Sequence, residues 1–336
     1  MLDIVTTTPK AIENCKARGG DIWSTHHDIG DVSLYERFAK FRPVPIEAVL
    51  PVGNGIEEPQ RMDDFSALQN VATGNVIDVT PFRGSYTLKP HDLLMTEQAQ
   101  IVQRSELPLG NVEVIDRIFE EGVRVHRTIL FHDLTSRIGS GSDVVRCRLD
   151  MFNSVDKSWA FQIFSGAYRD LCRNTLVFGG EKAYHQKKKH VGSMSTEAMT
   201  EKAVMGLDMW ANQSEQMKLW QQAKMTDRNF TDILKETICR KNTKAAELEE
   251  SVSINERKLN YLLERFAEEK RELGHTMWAA YNALTHWATH LPDAQERGRA
   301  EKKRFDRNAA VRGIIEGPAW RYLEGLAQRP SVTAGA

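Results

Sequence analysis

The chain has 336 residues, of which 41% are hydrophobic and 27% charged, with a formal net charge of −1. That length buries a large core in one elaborate domain or two lobes, and the balance excludes fibrous and compositionally disordered classes. Near-neutrality also excludes a histone-like coat, because nonspecific nucleic-acid affinity grows with the number of phosphates neutralised, so any such binding must come from a local patch.

No apolar run approaches the ~18 to 20 residues that cross a bilayer. The opening MLDIVTTTPKAIENCKARGG has no signal-peptide pattern, which points to the cytoplasm and away from the membrane. Cys15, Cys147, Cys172 and Cys239 are far apart and form no C-x-x-C pair. Reduced buried thiols are expected, and neither a zinc knuckle nor a redox dithiol.

Residues 1–111 form an acidic region of mixed short elements. Ser33 to Phe41 (SLYERFAKF) has a capping-box spacing from Ser33 to Glu36 and predicts a short helix. RPVPIEAVLPVGNGIEEPQ, rich in Pro and Gly, reads as a loop. NVIDVTPFRGSYTL predicts one or two short strands broken at Pro81 and Gly84, and His91 to Arg104 a helix.

Residues 112–192 predict an antiparallel β-meander. Val123, Val125, Ile129 and Phe131 alternate with Arg124, His126, Thr128 and His132. After the turn SRIGSGS, Val145, Cys147, Leu149 and Met151 alternate with Arg146, Arg148 and Asp150, and Trp159, Phe161 and Ile163 supply a third strand. Period two puts Arg124, His126, Arg146 and Arg148 on the face opposite the core. That face reads either as a solvated surface with charge pairs to Asp150 or as a phosphate-tracking surface.

Tyr168 to Val177 (YRDLCRNTLV) predicts a helix with Arg169 and Arg173 on one face, stopped at Gly179-Gly180. EKAYHQKKKHVG follows as a basic loop or strand. Its lysines are either an exposed charge run or phosphate contacts.

Residues 193–325 predict helices over about 195–222, 228–239, 243–272, 274–290 and 297–315, packed on the meander, with 326–336 a flexible tail. The class is α+β, an antiparallel β-meander with a mostly helical C-terminal half. The methionines at 194, 199, 205, 209, 217 and 225 read as core fillers.

His286 and His290 share a helical face in HWATH, but the metalloprotease glutamate is absent and helix-end or core roles are favoured. No phosphate-binding P-loop, dinucleotide G-x-G-x-x-G or G-x-S-x-G elbow occurs. Cys172 lies near Arg169 and Arg173 without a sequence-near base, so no catalytic residue, cofactor or metal is assigned.

The stretches YRDLCRNTLVF, KKKHVGSM and GHTMWAAYNALTHWATH occur in that order. Together they resemble the phage/plasmid-like family catalogued as domain of unknown function nine hundred thirty-two. The matching positions are Arg169, Cys172, Asn174, Thr175, Leu176, His190, Gly192, Thr276, Trp278, Asn282, Ala283, Thr285 and His290. The resemblance covers about 120–300 and implies a DNA-handling role on mobile elements. A basic meander followed by helices is similar in outline to the phage single-strand annealing recombinases of the Erf and Red-beta type, an analogy of fold alone.

The expected function is single-stranded nucleic-acid binding, DNA or RNA, by a homo-oligomer that assists annealing, recombination or replication without cofactor hydrolysis. The expected phosphate contacts are Arg124, Arg127, Arg146, Arg148, Arg169, Arg173, Lys182, Lys187, Lys188, Lys189 and His190, with Tyr168 or Tyr184 stacking on bases. Cys172, Asn174, Thr276, Trp278 and Asn282 are expected to be structural. The alternatives are a factor that engages a host protein through its apolar helices or acidic N-terminal third, and a metal-dependent nuclease.

Overall fold

The computed structural model describes residues 21–26, 43–50, 58, 60–71, 73–81, 87–104, 111–119, 122–139, 143–169, 175–176, 185–189, 196–240, 253–290 and 299–328. Among them are ten strands and eight helices, with the helices concentrated after residue 195. The fold is α+β. The strands are β1 (Asp21–His26), β2 (Pro43–Leu50), β3 (Gln60–Asn70), β4 (Val76–Pro81), β5 (Val112–Phe119), β6 (Arg124–Ile138), β7 (Asp143–Ser154), β8 (Phe161–Arg169), β9 (Thr175–Leu176) and β10 (His185–Lys188). The helices are α1 (His91–Arg104), α2 (Thr196–Asp208), α3 (Trp210–Gln222), α4 (Asp227–Glu236), α5 (Glu256–Leu273), α6 (Met277–His290), α7 (Arg299–Ile315) and α8 (Pro318–Gln328).

A seven-stranded sheet runs β1-β5-β6-β7-β8-β10 with β9 beside β8, and a second sheet runs β2-β3-β4. The chain divides into two compact units, one of 1–134, 147–165 and 182–208, the other of 135–146, 166–181 and 209–336. Neither is a contiguous stretch of chain.

In the first unit the β5–β6 register explains the alternation in the sequence. Val112↔Phe131, Val114↔Ile129 and Ile118↔Val125 share one face, and Ile115↔Thr128, Arg117↔His126 and Phe119↔Arg124 share the other. All nine residues of β8 are buried, the polar Gln162, Ser165 and Arg169 included. Helix α1 buries Leu94, Met95, Ile101 and Val102. Its first residue, His91, is locked by an Nε2 hydrogen bond to Gly122 O (2.9 Å) and by Asn153 Nδ2 donating to its Nδ1 (2.9 Å). Helix α2 packs on α1 and on β10.

The second unit is built around α6. Eleven of its residues are buried, from Met277 to Ala288, and it packs against α5, α7, α3 and β9. A helix apolar on nearly every side belongs in the middle of a bundle, and four alanines let neighbours come close. Gly274, at φ 72, ends α5 with its N–H on Lys270 O, and Thr276 Oγ1 accepts from Ala279 N (3.1 Å) to start α6. Trp220 touches Tyr281 and Trp320, at ring distances of 4.8 and 5.5 Å.

Several elements differ from the expectation. Pro43 and Pro45 suggested a loop, yet β2 forms there, because it is an outer strand whose prolines need not donate to a ladder. The helix expected over Tyr168 to Val177 does not form; β8 stays extended through Arg169, and β9 pairs back through Ala167↔Leu176 and Tyr168↔Thr175. The spacing of the two arginines imitated a helix, but the backbone stays extended through Arg169 while Ala167 and Tyr168 pair with β9. β6 continues to Ile138, so the hairpin turn is shorter than SRIGSGS and turns at Gly139, whose φ is 67. The first long helix is two, divided at Met209. Helix α8, unanticipated, starts with Pro318 at its first position and extends into the expected tail. The helix expected over Ser33 to Phe41 and residues 243–252 of the one expected from 243 lie outside the described residues; residues 253–255 are not helical, and α5 starts at Glu256, where the Asn255 side chain accepts from Lys258 N.

Replacing Thr276 by Ala is expected to lower stability by about 1 kcal/mol through loss of the α6 cap, read as a lower urea midpoint with an unchanged slope.

Candidate nucleic-acid interface

Parity in the meander is as expected: Arg124, His126, Arg146 and Arg148 share a face. Accessibility is not, because that face is an internal polar layer rather than a solvated one. Asp150, with no exposed surface, is its anchor. His126 Nε2 donates to Asp150 Oδ1 (2.8 Å), Thr128 Oγ1 donates to the same oxygen (2.8 Å), and Arg148 makes short contacts to both oxygens. Arg117 Nη1 lies 3.3 Å from both His126 Nδ1 and Thr128 Oγ1. The His126 ring stacks on Phe152 at 3.9 Å, which also touches Trp159 and Phe164. Burial alone would raise the Asp150 carboxyl, but Arg148 and His126 overcome it and hold it well below the usual carboxylate range.

The other guanidiniums are also engaged. Arg124 bonds Asp156 (3.0 Å) and Ser158 (2.5 Å) and lies over the Trp159 ring. Arg127 is on the opposite, apolar face of β6, where it grips both oxygens of Asp116 at 2.7 and 2.9 Å and is 1% exposed. A bidentate buried pair of this kind is geometrically specific and offers nothing to a phosphate. Arg146 is half-buried. Sequence alternation reached only the pairing with Asp150, which shares β7 with Arg148; Asp116 lies on another strand and Asp156 in the segment after β7.

In the second unit Arg169 is fully buried. Its Nε donates to Asp143 Oδ1 (2.6 Å) and its Nη1 to Glu269 Oε2 (3.0 Å). Trp278 Nε1 donates to Asp143 Oδ2 (2.9 Å), and the guanidinium lies 6.0 Å from the Trp278 ring centroid. Burial pushes the Glu269 carboxyl up, against the opposing pull of Arg169. Two residues of separate sequence motifs, Arg169 and Trp278, are thus joined through Asp143, which no motif singled out. Asn282 Nδ2 donates to Trp278 O (2.8 Å), one turn back on α6.

The proposed convergence of arginines with the Lys187–Lys189 run on one accessible surface is therefore corrected for Arg124, Arg127, Arg148 and Arg169. Each is turned to a carboxylate, because a guanidinium inside the protein needs an opposite charge. Tyr168 is also buried. Lys187 and Lys188 are on β10, at one end of the strand order, and Lys189 is exposed. Arg173, Lys182, Tyr184, His190, Cys172 and Asn174 lie outside the described residues. Cys147 and Cys239 are free buried thiols, pushed up by burial, which makes them poor nucleophiles.

Arg169→Met is expected to cost about 3–5 kcal/mol, since it strands two carboxylates, whereas Glu269→Gln, which removes a carboxylate that burial disfavours, costs less. Chemical denaturation of both variants measures the difference. Because the Asp150 carboxyl is depressed on folding, its contribution is complete above its ordinary value of about 3.9 and is lost as pH falls through the lower folded value. The urea midpoint is expected to drop below about pH 4, and the drop to be shallower in Asp150→Asn.

No curated protein and no solved structure matches the chain. The profile of a family described as a domain of unknown function, DUF932, matches residues 84–311. That span takes in the meander, α1 to α6, the Arg169–Asp143–Trp278 junction and most of α7. On that match, the chain belongs to the DUF932 family.

Proposed function

We propose that this chain is a phage- or plasmid-encoded, cytoplasmic protein that binds single-stranded nucleic acid, as a homo-oligomer, and assists annealing, recombination or replication without hydrolysing a cofactor. The observation that supports the reading is the run of three successive lysines, Lys187 to Lys189, at the terminal strand of the large sheet, with Lys189 exposed. Lysines at a strand edge have a second use, the prevention of edge-to-edge aggregation. The proposed interface is narrower than the sequence suggested, since the guanidiniums of Arg124, Arg127, Arg148 and Arg169 serve the interior.

A labelled single-stranded oligonucleotide, titrated at several salt concentrations, separates the two uses. Each phosphate contact on a single strand contributes about −0.7 to the slope of log affinity against log salt. Replacing all three lysines by Gln is expected to reduce that slope by about 2. Absence of binding, or binding indifferent to salt, ends this reading; an unchanged slope in the triple variant moves the contact away from β10.

A second reading, a protein-interaction factor, is favoured by one observation in the acidic N-terminal third. Register places Phe65 and Val79 on one face of the small sheet, with Val44 and Val76 both opposite Gln69 on that same face. Val76 is 57% exposed and Val79 48%, exposed apolar residues of the kind that mark a contact surface when they gather on one face. Lysine at both valines is expected to release a co-purifying protein while leaving oligonucleotide binding unchanged; retention of that protein removes this reading.

A further inference from the structure

We propose that His286 and His290 form a binding site for a borderline divalent transition metal of the zinc, nickel or copper class, with Tyr261 as the residue that orients it. The two histidines are one turn apart on α6, and their ring centroids are 4.7 Å apart with planes inclined at 46°. Helical phase explains the presentation: Leu284, Trp287 and Ala288 face the core, while His286 is half-buried and His290 exposed. Spacing of i, i+4 is the one by which a single helix offers two imidazoles to one metal, and imidazole is the ligand these ions share.

Tyr261, on α5, supplies the second observation. Its Oη lies 3.2 Å from His286 Nδ1. A partner at Nδ1 leaves Nε2 as the coordinating atom and fixes the plane of the ring, the arrangement by which neighbours of a ligating histidine orient it.

The charges around the pair come from three helices. Arg265 of α5 lies over the Tyr261 ring at 5.8 Å, and its charge is offset by an ion pair with Glu268. Arg307 of α7 acts on Tyr261 and donates from Nε to Ala288 O (3.1 Å). Against these cations stands the C-terminal end of α6, whose partial negative charge favours a cation beside His290. Among the described residues no third His, Cys, Asp or Glu completes a cluster. Two imidazoles leave the remaining coordination positions to other donors, whereas a closed structural zinc site fills all four from protein side chains.

The test is calorimetric titration of the full chain, carrying no histidine tag, with Zn2+, Ni2+ and Cu2+. One equivalent is expected, and the copper-loaded protein should show nitrogen hyperfine structure from two imidazoles in its paramagnetic resonance spectrum. His290→Gln, a change at an exposed position, should abolish that equivalent. Tyr261→Phe should weaken it by roughly 10–100-fold and alter the spectrum, with helix content unchanged by circular dichroism. Failure of all three metals to bind the native chain overturns the proposal, as does an equivalent retained at full affinity by His290→Gln. Undiminished affinity in Tyr261→Phe overturns the role given to Tyr261.

Discussion

A guanidinium taken out of water has to find its compensating charge inside the protein. At Arg169 that requirement organises the second unit. Asp143 from the start of β7 and Glu269 from α5 take its N–H groups, and Asp143 uses its other oxygen for the Trp278 indole on α6. Four elements are thereby held by directional bonds, each of which fails if a strand slips by one residue. Burial of apolar surface favours a compact bundle in many arrangements; the hydrogen bonds select one.

The first unit applies the same rule to a carboxylate. Asp150 has no exposed surface and is approached by His126, Thr128 and Arg148 from one face of a sheet whose other face packs apolar residues. Asp116 and Arg127 repeat the arrangement on the apolar face. The functional consequence follows from accessibility. Cations that hold the interior together are not available to a polyanion, so a search for phosphate contacts shifts from the arginines to the lysines of β10.

The motif residues take on physical roles in the same way. Thr276 caps α6, and Asn282 returns a hydrogen bond to the carbonyl of Trp278. Trp278 meets Arg169 through an aspartate that lies 135 residues before it in the chain. Two sequence motifs that read as separate landmarks are parts of one electrostatic junction. Their spacing in the chain carries no trace of it, since Asp143 sits at the edge of a turn among small polar residues.

The alternation from Val123 to Met151 determined the meander, and the apolar stripes around Leu262 and Tyr281 determined the helices after it, because side-chain period follows directly from backbone geometry. Helix α1 was equally plain. Parity even placed Arg124, His126, Arg146 and Arg148 on one face. Whether that face meets water was decided only by what covers it, and the directions of Arg124, Arg127 and Arg169 only by carboxylates from other segments; the Arg148–Asp150 pair alone was within reach of the local pattern. Composition likewise misread β2 and the end of β8: prolines are tolerated on an outer strand, and Arg169 follows the pairing of its neighbours rather than its spacing from Arg173. Local pattern settles which residues lie side by side; the partner of a buried charge is a long-range fact, and only the folded chain supplies it.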